Sequence, residues 1–103
     1  MIESEHNLLG ALMIDSSRLT EIDIATNDFS DETGRQIFQA MLDLEAASEV
    51  IDTLTLGMHM EATSGRKWLA PLGAIASIVI SAANAKAYAR IVRGESNKRK
   101  VAK

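Results

Sequence analysis

The stretch "DTLTLGMHME", Asp52 to Glu61, decides the fold class. Leu54, Leu56, Met58 and Met60 alternate with Thr, Gly and His, the period of two that a half-buried strand shows. The same residues also form i, i+4 pairs, Leu54 with Met58 and Leu56 with Met60, and Asp52 stands where a helix cap would. No second convincing strand exists elsewhere to pair with this one, and an isolated strand leaves its backbone polar groups unsatisfied. The stretch therefore reads as a helix, and the chain as all-α.

The remaining segments agree with that reading. Ala, Leu, Met and Glu are common, proline occurs once, and the aromatics are Phe29, Phe38, Trp68 and Tyr88. A first helix carries Leu8, Leu9, Leu12 and Met13 at helical spacing, with Ser4 and Glu5 at its expected start. The chain breaks at Asp15, and Ser16 or Ser17 caps a short second helix that turns Leu19 and Ile22 inward. Ser30 is the expected N-cap of a third helix, with Asp31 and Glu32 at the positive end of its dipole. Its stripe of Ile37, Phe38, Met41, Leu42 and Leu44 runs to about Ala47. "TSGR", Thr63 to Arg66, is a loop. A fifth helix then begins near Arg66 to Trp68, holding Pro71 in its first turn, where a missing N–H costs nothing. Ser81 or Asn84 opens the last helix, whose expected stripe is Ala87, Tyr88, Ile91 and Val92. The expected architecture is a compact orthogonal bundle of about six helices.

Composition excludes several classes. A length of 103 residues fits one domain with a modest core. The longest apolar-rich run, "WLAPLGAIASIVISAANA", is broken by Pro71, Gly73, Ser77 and Ser81, so no membrane partner is expected. The acidic opening "MIESEHN" lacks the cations of a signal peptide, and a cytoplasmic protein is the simplest expectation. Cysteine is absent, which removes disulfides and thiolate zinc sites. The net charge of −3 is unevenly spread. Residues 1–89 hold thirteen acids and five bases, whereas residues 90–103 hold six bases and one acid. Arg90, Arg93, Lys98, Arg99 and Lys100 thus read either as a basic tail with its own partner or as cations suited to the negative pole of a helix.

No catalytic set assembles. His6 and His59 lack the spacing of a zinc pair, and neither GxxxxGK[ST] nor GxGxxG is present. No serine has a base and an orienter in sequence reach. Met41, Met58 and Met60 suit either a plain core or an adaptable groove. Trp68, after a loop and two cations, reads either as an anchor for the last two helices or as a partly covered contact residue.

Four blocks in order carry a resemblance: "ESEHNLLGALMID", "NDFSDETGRQIFQAMLDL", "VIDTLTL" and "WLAPLGAIASIVISAANAKAYARIVRG". With them the chain resembles, over nearly its whole length, the N-terminal domain of the DnaB-type replicative hexameric helicases of bacteria and phages. The resemblance implies a non-catalytic interaction domain, residues 1–93, that pairs with other helicase subunits in a collar and docks the C-terminal domain of primase. Residues 94–103 would begin a dimerisation hairpin whose second arm is missing, frayed from about Gly94, leaving the piece a monomer or weak dimer. ATP, magnesium and the main DNA contacts would belong to a motor domain absent from this chain. Among primase contacts the resemblance implies Trp68, where the family usually has tyrosine, and Tyr88. The alternatives are a small nucleic-acid-binding protein using the basic tail, or a stand-alone regulator of the helicase.

Overall fold

A computed structural model describes residues 2–79 and 81–101. Five α-helices appear among them: α1 (Ile2–Ile14), α2 (Glu32–Ala46), α3 (Thr53–Ser64), α4 (Leu69–Ser77) and α5 (Ala85–Val101). The expected second helix forms as a 3₁₀ segment, Ser16–Glu21, and shorter 3₁₀ turns occupy Thr26–Asp28 and Ala82–Asn84. No strand occurs among the described residues. The all-α reading holds.

The ambiguous stretch folds as a helix because its first turn is doubly capped. The Asp52 carboxylate accepts from the Thr55 amide at 2.8 Å, and the Thr55 hydroxyl accepts from the Asp52 amide at 2.9 Å. Only half of its apolar set turns inward, however. Leu56 and Met60 are buried, while Leu54 is 58% and Met58 62% exposed. Gly65 closes α3 in the left-handed region at φ 74°, its amide donating to Glu61 O at 2.9 Å. The end of α2 uses the same device without glycine. Ser48 lies at φ 56°, its amide donating to Glu45 O and that of Glu49 to Leu44 O.

Two expected helix starts are displaced. Asp31 rather than Ser30 caps α2, accepting from the Gly34 amide at 3.0 Å. The Ser30 amide is instead taken by the buried Glu5 carboxylate at 2.8 Å. That fixes Glu5 inside α1, which already starts by Ile2, and Ser4 donates across the fold to Glu95 Oε1 at 2.9 Å. Asp15 caps the following 3₁₀ segment in place of Ser16 or Ser17, accepting from the Ser17 amide and hydroxyl. Pro71 is the third residue of α4, where no amide partner is required.

The core lies around α1, which packs on α2, α4 and α5, while α3 bridges α2 and α4. Leu8, Leu9, Leu12, Ile37, Phe38, Met41, Leu56, Leu72 and Val92 are fully enclosed, and the Phe29 and Phe38 rings lie 5.0 Å apart. At Gly10 the backbone of α4 comes so close that an added Cβ would lie 2.9 Å from Ile75 O and 2.7 Å from Val79 Cγ2. A side chain there would separate α1 from α4.

The face of α5 is not the expected one. Ala85, Ala89, Val92 and Ser96 are buried, Tyr88 is half-buried and Ile91 is exposed. Small side chains carry the burial, which lets α5 approach α1 closely. α5 continues as helix past Gly94 to Val101. Its 17 residues span about 25 Å at 1.5 Å per residue, within the 36 Å longest dimension of the molecule. Ala102 and Lys103 lie outside the described residues.

Candidate partner-contact surface

The basic stretch is largely tied to the globule. Asp28, only 2% exposed, is the anchor. Its carboxylate accepts from the Ala25 amide at 2.8 Å, the Ser96 hydroxyl at 2.7 Å and the Lys100 ammonium at 3.3 Å. Its backbone carbonyl accepts from the Arg99 guanidinium at 2.7 Å. Burial pushes the Asp28 carboxyl up, but the Ala25 amide, the Ser96 hydroxyl and Lys100 together outweigh it and hold the group below the usual carboxylate range. Arg93 reaches Asp23, donating to its carbonyl at 2.9 Å with its carboxylate at 3.3 Å. Of the five candidate cations, Arg93, Arg99 and Lys100 therefore point to acceptors of this chain. Arg90 and Lys98 are exposed.

Of the two readings the sequence left open for Trp68, anchor or partly covered contact, its burial agrees with the anchor. The residue is 1% exposed. Its indole N–H donates to Ser64 Oγ at 3.0 Å, its amide donates to Glu61 Oε2 at 3.2 Å, and the Arg66 guanidinium lies 4.8 Å from the ring centroid. Trp68 is among the residues lining an open groove of about 400 Å³ between α2 and α3, with Ala40, Met60, Gln39, Asp43 and His59. Any contact made through Trp68 thus runs through the surface it supports. Tyr88, half-buried on α5, packs against both the main core and the Ala11–Val79–Ala82–Ala85 cluster. The structure does not bring these two residues into one lining.

Neither histidine sits in a ligand set. His59 Nε2 faces Asp43 Oδ2 at 3.6 Å, and His6 Nε2 is enclosed without a protein partner. Among the described residues no three His, Asp or Glu side chains converge as a metal site would require. No single described helix is long and apolar enough to cross a membrane.

With this geometry in hand the comparisons are decisive. The family model for the DnaB-like helicase N terminal domain matches residues 1–94. The chain belongs to that family. It is 29% identical to the replicative DNA helicase DnaB of Treponema pallidum and 33% identical to that of Buchnera aphidicola. Each match covers 99% of this chain but 24% and 23% of the relative, so the chain spans about a quarter of the length of these curated relatives. The DnaB-like fold is shared with the crystal structure of the N-terminal domain of DnaB helicase from Mycobacterium tuberculosis. That match has a TM-score of 0.92 and 22% identity, covering 99% of this chain and 78% of that one. A DnaB-like replicative helicase described with its interactions with primase also matches, at a TM-score of 0.82 and 22% identity, over 97% of this chain and 25% of that one. The chain is thus a DnaB-like helicase N terminal domain by both sequence family and fold.

Two features of this DnaB-like domain escaped the sequence reading. Asp28 gave little local signal, because apart from the Ala25 amide its partners lie 68 to 72 residues away. Ser96 was legible in principle: it extends the series Ala85, Ala89, Val92 by one helical step, as a polar residue on an otherwise buried stripe.

Proposed function

We propose that the chain serves as the interaction domain of a replicative DNA helicase, supporting assembly with other helicase subunits into a collar and docking the C-terminal domain of primase. The carrying observation is the match to the DnaB-like N-terminal domain over residues 1–94. The likeness in fold to a helicase described with primase adds to it. In this reading ATP and magnesium act in a motor domain outside these 103 residues, where the main DNA contacts also lie, and the protein works in the cytoplasm. Tyr88 is the contact residue for primase, and Trp68 supports the surface from below. The bonds of Arg93, Arg99 and Lys100 to acceptors of this chain compete with phosphate contacts and disfavour a nucleic-acid module.

The test is a calorimetric titration of the chain with the C-terminal domain of the primase from the same genome. Micromolar binding, weakened by Tyr88→Ala, is expected. Absence of heat for this chain and for a longer one carrying its flanking sequence overturns the reading. DNA affinity that falls steeply with salt would restore the nucleic-acid alternative.

A further inference from the structure

A second open groove, of about 570 Å³, runs between α5 and the stretch Glu21 to Asp23, whose backbone is extended at Ile22. Ile22 and the buried Ala89 supply its apolar lining. At Gly94, also in the lining, an added Cβ would meet nothing within 4 Å, so the groove is open there. Along the other wall Lys86, Arg90, Arg93 and Asn97 recur at helical spacing, a single polar edge of α5. That edge covers about 16 Å at 1.5 Å per residue. Tyr88 lies two residues from both Lys86 and Arg90, which places it on the other side of the helix.

The charges on the two walls differ in what they are already bound to. Glu21 accepts from Arg18 at 3.2 Å, and the Asp23 carboxylate lies 3.3 Å from Arg93, which also donates to the Asp23 carbonyl. Both acids are thus matched within the chain. Lys86 and Arg90 are exposed and reach no acceptor among the described residues. One helical turn separates them, which sets their Cβ atoms about 6 Å apart. In an extended peptide the side chains of one face recur at every second residue, about 6.6 Å. Two carboxylates at alternate positions of such a peptide therefore fall opposite the two cations. The side chain between them then points the other way, toward Ile22.

We propose that this groove takes an extended segment of a partner protein in which acids alternate with apolar residues. Lys86 and Arg90 receive the acids, and Ile22 with Ala89 receives the apolar side chain between them. A ligand charged along its whole length, such as a phosphate backbone, meets Glu21 and Asp23 on the facing wall and is disfavoured there. A peptide of mixed character satisfies both walls. Because Tyr88 faces the other way, the site adds a second kind of partner to the domain and does not depend on primase docking. Exposed ion pairs are individually weak, so the affinity is modest and falls with salt.

The experiment is an amide NMR titration of the 103-residue chain with a capped peptide of alternating glutamate and leucine. The peptide is about six residues long, enough to line the edge of α5, and the salt is about 50 mM. Expected are saturable shifts at Ile22, Lys86, Arg90 and Asn97, with a dissociation constant of about 100 µM. Lys86→Glu and Arg90→Glu, both at exposed positions, should each weaken binding about fivefold with unchanged circular dichroism. The doubly reversed chain should instead take the matching lysine–leucine peptide. Absence of shifts, shifts confined to other surfaces, or refusal of the lysine–leucine peptide by the doubly reversed chain overturns the proposal. Equal or tighter binding of an oligothymidylate of the same charge marks a phosphate site and overturns it as well. Tyr88→Ala should leave the peptide affinity unchanged; its loss in that variant would merge this groove with the primase surface and end the claim of a separate site.

Discussion

At one end of the molecule five cations crowd a helix that looks solvated; at the other, leucines and methionines crowd a helix that looks buried. The structure qualifies both impressions. The cations stay at the surface, yet three of them reach acceptors of the chain. Half of the apolar set of α3 stays in solvent. The distal half of α5 is fastened by a buried carboxylate and its donors, Ser96 and Lys100, with Arg99 on the neighbouring carbonyl. The α3–α4 face leaves Leu54, Met58 and Leu69 in solvent. Residue type sets what a position can do, and the long-range partner sets what it does. Charge is tolerated inside where donors and acceptor saturate one another, while apolar surface stays outside where the core is already filled from Leu56 and Met60.

The largest disturbance should come from the core floor under α3. Trp68→Ala removes a fully covered indole and its bond to Ser64, and should destabilise the fold by about 3–5 kcal/mol in urea unfolding. Asp28→Ala strikes the polar end. It strands the Ser96 hydroxyl and the Ala25 amide, and should cost about 2–4 kcal/mol, with amide exchange rising first from Ser96 toward Lys100. An equal loss of protection in α3 would dissolve the contrast between the two ends.

Acid should separate them further. The folded Asp28 carboxyl is held below the usual carboxylate range, so its contribution is present above the unfolded value and is lost as pH falls through the lowered folded value. Urea midpoints between pH 6 and pH 3 should therefore drop less in Asp28→Asn than in the parent chain. A parallel decline in both would assign the acid sensitivity to other carboxylates. Smaller still, Gly94→Ala meets nothing within 4 Å and should stabilise α5 by about 1 kcal/mol. At the opposite end Leu54→Glu should change stability by no more than about 0.5 kcal/mol.

Local chemistry made most of the fold readable. Asp52, the loop Thr63 to Arg66, Pro71 and the stripe Ile37, Phe38, Met41, Leu42 and Leu44 each announced an element that the structure contains. The family blocks were equally plain, since they run through the same helices. What failed was the assignment of faces. On α5 the large residues Tyr88 and Ile91 drew attention, whereas a close helix crossing buries the small ones, Ala85, Ala89 and Ser96. On α3 both i, i+4 pairs were equally apolar, and only the position of α4 decides which one is enclosed. Trp68 was legible as either anchor or contact; its hydrogen bond to Ser64 depends on a loop closure that no residue type encodes.

The seat of α1 carries a further consequence, for the order in which the chain can fold on the ribosome. Leu8, Leu9 and Leu12 belong to α1, yet they are enclosed only once α4 and α5, much later in the chain, have closed over them. Translation at about 5–20 residues per second leaves that apolar ridge uncovered for several seconds in every nascent molecule. The hydrogen bond from Ser4 to Glu95, 91 positions apart, can form only after nearly the whole domain has emerged. A nascent chain of this design therefore cannot enclose the ridge of its α1 until α5 has emerged.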